Sequence, residues 1–112
     1  MESQSSSRLV LTWQRSQLDV EAHERIMMGR DRGAEIRLDG DYVSRAHLEL
    51  FHEDHYFVIR DRSTNGTLIQ SEDSTVVHCK RGQVRLWGQG WISLGAPLAR
   101  ETAVHYRVVS AR

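Results

Sequence analysis

The 112-residue chain is long enough for one domain with a real core and too short for two. Apolar residues make up 39% and charged residues 27%, ordinary for a globular domain, and 15 Lys+Arg against 15 Asp+Glu leave a formal net charge of zero. That balance argues against a broad electrostatic attraction to nucleic acid or to an anionic membrane, and the single cysteine, Cys79, excludes an intrachain disulfide and fits a reducing cytosol.

Residues 1–7 are polar and Ser-rich, with no apolar segment of the kind a signal peptide needs, and read as a disordered tail ahead of one domain over 8–112. No later run is long enough to span a bilayer. The expectation is a soluble, cytoplasmic chain, either whole or a module of a longer protein. Leu9, Leu11 and Trp13 alternate with Val10 and Thr12 as a strand does. Gln14-Arg15-Ser16-Gln17 reads as a turn, followed by a weaker alternation at Leu18, Val20 and Ala22. Residues 20–28 admit a single short helix as the alternative reading. Ile26-Met27-Met28 is a short apolar run ending at Gly29. Residues 30–46 are rich in Asp, Arg and Gly, with only Ile36 and Leu38 as a short anchoring strand; excursions of this length inside a compact domain are often functional.

Two strong strands follow, His47–Phe51 and Tyr56–Ile59, with a hairpin tip at Glu53-Asp54. Asn65-Gly66 is the strongest short hairpin signal in the chain. Leu68-Ile69, Val76-Val77, Val84 with Leu86, and Ile92 with Leu94 mark further strands, Gly88-Gln89-Gly90 a turn, and Ala103–Val109 a closing strand. Cys79 reads as a small hydrophobe in or near one of these. The fold class is all-β: a β-sandwich of about eleven short strands in two sheets, with binding loops at one end.

Three polar motifs adjoin these strands: Gly29-Arg30, then Ser44-Arg45-Ala46-His47, then Asp61 to Thr67. If the strand ending at Arg30 climbs, strand 47–51 descends and strand 56–60 climbs back. Thr64-Asn65 then returns to the end that holds Arg30 and Ser44, unless a full strand at 35–38 reverses the direction. The chemistry at that end is coherent. Arg30 carries a planar fork of donors that matches phosphate, Ser44 and Thr64 bring hydroxyls, Arg45 adds a charge, and Asn65 can both donate to and accept from a peptide backbone. Taken singly, each motif is unremarkable. Gly29-Arg30 is a glycine suited to positive φ beside a solvated arginine, Ser44 caps its own turn, His47 ties loops together, and Asn65-Gly66 turns a hairpin.

Together, in this order and spacing, the three motifs resemble the signature of the forkhead-associated (FHA) domain, with the motif region at about 28–68 and the following strands fitting the family's eleven-stranded, FHA/SMAD-like sandwich. The resemblance implies a phosphothreonine-peptide recognition module, without catalysis, cofactor or metal. Its phosphopeptide contacts would be Arg30, Ser44, Arg45, Thr64 and Asn65, with Gly29, His47 and Gly66 shaping the loops. Asp41 and Tyr42, with the 95–100 segment, are the candidates for reading residues beyond the phosphothreonine. The partner implied is a phosphothreonine-containing protein or peptide, met by a monomeric module in bacterial kinase signalling.

Three rival readings stand beside it. An enzyme is disfavoured because there is no nucleophile elbow, Walker loop or zincin motif, and His52-Glu53-Asp54-His55 reads as a solvated hairpin tip. A sugar-binding sandwich would stack its ligand on Trp13, Trp87 and Trp91. The alternative function is a phospho-independent interaction or self-association module that binds through a sheet face.

Overall fold

The structure, a computed structural model, describes residues 7–95 and 103–110. Of the polar tail over 1–7 only Ser7 is among them, and residues 96–100 of the 95–100 segment lie outside them. Eleven strands are present: β1 (Arg8–Trp13), β2 (Ser16–Glu21), β3 (Ile26–Gly29), β4 (Ile36–Arg37), β5 (Leu48–Glu53), β6 (Tyr56–Asp61), β7 (Thr67–Ser71), β8 (Val76–Cys79), β9 (Gln83–Leu86), β10 (Gln89–Leu94) and β11 (Ala103–Val109). They form a six-stranded sheet in the order β2-β1-β11-β10-β7-β8 and a five-stranded sheet in the order β4-β3-β5-β6-β9. No helix occurs among the described residues, so the short helix over 20–28 does not form. Val20 lies within β2, which ends at Glu21, and the chain turns at 22–23 before β3 begins.

Alternation decides which side chains meet. Leu9 and Leu11 of β1, Leu48 and Leu50 of β5, Phe57 and Ile59 of β6, Ile69 of β7, Ile92 of β10, and Val104 and Tyr106 of β11 are buried in one core between the sheets. Removing each large apolar side chain from water is worth about 1.5–3 kcal/mol, which is what holds the two layers face to face.

Two turns differ from expectation by small shifts. The β1–β2 ladder runs up to Trp13 opposite Ser16, so the turn is only Gln14-Arg15. The β5–β6 ladder closes at Glu53 opposite Tyr56, which moves the hairpin tip one residue on, to Asp54-His55. A larger difference concerns Asn65-Gly66. It turns no hairpin: β6 belongs to the five-stranded sheet and β7 to the six-stranded one, so this turn carries the chain across the sandwich.

β4 settles the direction of the long excursion. It pairs parallel to β3, Met28 opposite Ile36 and Gly29 opposite Arg37. The chain therefore drops back and climbs a second time, and Ser44 stays at the end reached by Arg30. The excursion is anchored by Ile36, Leu38 and Val43 in the core, and by a hydrogen bond from the Leu38 amide to the Gly29 carbonyl at 2.9 Å.

Candidate functional site

Arg30, Ser44, Thr64 and Asn65 converge at one end of the sandwich on loops that hold one another. The Arg30 amide donates to the Ser44 carbonyl at 2.9 Å and the Asp31 amide to the Arg45 carbonyl at 3.1 Å. The Arg30 side chain is fixed by its own Nε, which donates to the Val43 carbonyl at 2.8 Å. The Thr64 amide donates to the Ser44 hydroxyl at 3.2 Å, and Asn65 Nδ2 to the Tyr42 carbonyl at 3.3 Å. Arg30, Arg45, Thr64 and Asn65 are all exposed, and Ser44 is half-buried.

Gly29 is required by a close approach, not by its φ. A Cβ built there would lie 2.0 Å from the Arg45 carbonyl oxygen, and Gly29 is not among the residues with positive φ. The expectation of a left-handed glycine is thus corrected: two loops pass too close for any side chain. Gly66 does have positive φ, 87°, the region where a residue with a Cβ is strained.

His47 is fully buried and bridges the second and third motifs. Because the Ser44 amide can only donate, Nδ1 accepts from it at 3.0 Å. The proton therefore sits on Nε2, which donates to the Gly66 carbonyl at 2.9 Å. Burial lowers its pKa, outweighing the Gly66 carbonyl and the nearby Asp61 carboxylate, which favour the charged form.

Beneath this bridge lies a centre that sequence reasoning missed. Asp61 Oδ1 accepts from the Ser63 hydroxyl at 2.8 Å and the Thr67 hydroxyl at 2.7 Å. Oδ2 accepts from the Ser63 amide at 3.2 Å and the Arg81 amide at 2.9 Å. Burial on its own would raise this carboxyl's pKa, but the four donors together hold it below the usual carboxylate range. Ser63 Oγ in turn accepts from the Gly66 amide at 2.6 Å, and Arg81 Nε donates to the Ser63 carbonyl at 2.8 Å. The Gly95 amide donates to the Gly66 carbonyl at 2.9 Å from the six-stranded side. An acid followed at two and six residues by hydroxyls is the one local signal for this centre; nothing near Arg81 in sequence points to it.

Other candidates are less tied in. Asp41 and the 58%-exposed Tyr42 sit on the turn closed by the Val43 amide on the Gly40 carbonyl. Only Tyr42 touches the site, through its carbonyl. The Arg45 side chain has no partner among the described residues. The tryptophans form no single platform: Trp13 and Trp91 line one cleft with His105, whereas Trp87 stands at the bend between β9 and β10. His52-Glu53-Asp54-His55 closes the β5–β6 hairpin at the other end of those strands. Cys79 ends β8, buried, and burial raises its thiol pKa.

The family model of the FHA domain matches residues 26–87, more than half of the chain. The chain belongs to the FHA family. Among solved structures, its fold is similar to that of the Mycobacterium tuberculosis Rv1747 FHA-1 domain (23% identity, 92% of this chain and 97% of that one, TM-score 0.75). It is also similar to the FHA domain of an Arabidopsis thaliana protein (28% identity, 96% and 86%, TM-score 0.66). A third is the N-terminal FHA domain of S. cerevisiae Rad53p, solved in complex with a phosphothreonine peptide (19% identity, 92% and 91%, TM-score 0.66). No curated protein matches the FHA chain by sequence.

Proposed function

We propose that this FHA domain is a phosphothreonine-dependent protein–protein interaction module, an adaptor without catalysis that reads a kinase-phosphorylated partner. The observation that carries the reading is the convergence of Arg30, Ser44 and Thr64 on mutually hydrogen-bonded loops. Family membership supports it, as does the phosphothreonine peptide bound by the Rad53p domain.

Each residue contributes a distinct donor. With Nε committed to the Val43 carbonyl on an exposed Arg30, the two Nη groups would serve as the fork for phosphate oxygens. Ser44 Oγ accepts from the Thr64 amide and so has its own proton to give. Thr64 adds a second hydroxyl and Arg45 an unpaired positive charge. Asn65 is held by the Tyr42 carbonyl through Nδ2 and reads the peptide main chain with its remaining amide groups. Phosphothreonine brings about −1.5 to −2 charges and three acceptor oxygens. Because the loops are already tied, little further ordering opposes binding.

Phosphothreonine peptides, with unphosphorylated and phosphoserine controls, are to be titrated against wild type and Arg30→Ala. Binding is expected only to the phosphothreonine forms and is expected to fall at least about tenfold in Arg30→Ala, since one charge-assisted hydrogen bond is worth about 1.5–3 kcal/mol. Equal binding of the unphosphorylated peptides, or indifference to Arg30→Ala, overturns the reading and turns attention to the sheet faces.

A further inference from the structure

The outer face of the five-stranded sheet concentrates arginine although the chain as a whole is neutral. Arg25 and Arg60 cover the ring of Phe51, their Cζ atoms 4.4 and 5.1 Å from its centroid. One carboxylate serves three guanidiniums there: Glu49 lies 3.3 Å from Arg25, 3.2 Å from Arg62 and 3.8 Å from Arg60. Its Oε1 is buried and within ion-pair range of Arg60 and Arg62, yet accepts no aligned hydrogen bond among the described residues. Arg62 is therefore only loosely engaged, and its side chain is more than half exposed.

Above this array the face opens into a shallow cleft of about 600 Å³ lined by Ala46, Arg60, Asp61, Arg62 and Arg81. The Asp61 carboxylate, buried and held in its charged form by four donors from the 63–67 loop and Arg81, offsets only one of the three arginines that line this cleft. Arg81 is held by Nε on the Ser63 carbonyl, which fixes the plane of its guanidinium beside the third motif. Ala46, exposed, small and two residues after Ser44, lines this cleft and so joins it to the second motif. A neighbouring cleft of about 310 Å³ shares Ala46 and Arg62 but also contains Glu35 and Glu49, which balance its charge. The excess positive charge belongs to the first cleft.

We infer that Arg62 and Arg81 form a second anion-binding position, which takes a carboxylate or a second phosphate carried on the same peptide as the phosphothreonine. The inference rests on the phosphothreonine reading for its anchor. Arg62 supplies an exposed charge on a long side chain and Arg81 one preset by its bond to Ser63, the combination suited to an anion whose distance from the anchor varies with peptide conformation.

The test is a positional scan measured by fluorescence anisotropy. A phosphothreonine peptide with alanine at every other position is the background; one series replaces each alanine in turn by Asp, another by a second phosphothreonine. Wild type, Arg62→Gln, Arg62→Glu, Arg81→Lys and Arg30→Ala are compared. In wild type at least one position should bind about tenfold tighter than the background, the equivalent of about 1.4 kcal/mol. Arg62→Gln should erase that gain while leaving the background peptide's affinity within about twofold, Arg62→Glu should reverse it, and Arg81→Lys should reduce it while keeping the charge. A gain in the Asp series identifies an acidic residue as sufficient, and a gain confined to the second series identifies a doubly phosphorylated ligand. No gain at any position, or a gain that survives Arg62→Gln and Arg62→Glu, overturns the inference. If Arg30→Ala still abolishes binding of the background peptide in that case, only the second position fails; if Arg30→Ala binds as wild type does, the phosphothreonine reading fails with it.

Discussion

Strand β6 lies between two turns of opposite character. Asp54-His55, before it, is a self-contained hairpin: both residues have positive φ, 53° and 72°, and the ladder runs unbroken to Glu53 and Tyr56. This is the primed two-residue geometry that matches strand twist. Asn65-Gly66, after it, carries the stronger hairpin signal yet sends the chain to the other sheet. What shapes it comes from elsewhere: Asp61 through Ser63, His47 from β5's approach, Gly95 from the end of β10. A local turn signal therefore says that the chain bends, not where the next strand pairs. A turn held from several sides is also preorganised, which is what a recognition loop needs and a plain hairpin does not.

The largest effect follows from cutting that external support. Asp61→Ala leaves two hydroxyls and two amides without their acceptor in a buried site, and an unsatisfied buried group costs about 1–3 kcal/mol, so a loss of about 3–5 kcal/mol is expected by urea denaturation. Asp54→Ala at the exposed hairpin should cost no more than about 1 kcal/mol. Equal losses in the two variants would break the comparison.

The two ends should also separate by pH. His47 is neutral in the fold, its pKa lowered by burial, and its Nδ1 must stay unprotonated to accept from Ser44. The unfolded chain takes up the proton near 6.5, the ordinary value for histidine. The bridge's contribution is therefore complete above that pH and is lost as pH falls below it towards the folded-state pKa. His52, on β5, also has a lowered pKa, from burial and then from His55, so its share must be removed. Melting temperatures of the His52→Gln variant should still decline from pH 7.5 to pH 5.5; a flat profile would show that the His47 bridge does not depend on its proton.

Much of this was legible in the residues. β5 alternates and β6 is an apolar, β-prone run, and following their direction brings Arg30, Ser44 and Thr64 to one end without any structure, provided the excursion between them does not reverse it. β4 was not resolvable that way, because two residues carry no signal for which neighbour they pair with or in which sense, and the parallel pairing with β3 is what preserved the direction. Gly29 was recognisable as a constrained position, but its reason, the Arg45 carbonyl 2.0 Å from where a Cβ would sit, is a contact between chain segments that no local pattern encodes. Arg81 was invisible for the same reason: it meets Ser63 across 18 residues.

Asn65 tests whether the crossing turn separates recognition from stability. Its side chain makes one long bond to the exposed Tyr42 loop, at 3.3 Å, so Asn65→Ala should cost less than about 1 kcal/mol of stability. Peptide affinity should drop by about tenfold or more if the remaining amide groups read the main chain, since two hydrogen bonds are lost at roughly 1 kcal/mol each. Loss of stability matching the loss of affinity would assign Asn65 to the scaffold. Gly66→Val, by contrast, forces a β-branched residue into positive φ against His78 and should damage the turn itself.

The smallest effect comes from improving the plain hairpin. His55 holds φ of 72° without being glycine, a conformation that costs a residue with a Cβ about 1 kcal/mol. His55→Gly relieves that strain, partly offset by the greater freedom glycine has in the unfolded chain. The net expectation is a gain of about 0.5 kcal/mol, or a rise of a few degrees in Tm at this domain size. Because the hairpin lies at the far end of β5 and β6 from Ser44 and Thr64, phosphothreonine-peptide affinity should not change. A change in affinity would mean that the far turn sets the register of the strands that carry the loops, and the two turns would then not be independent.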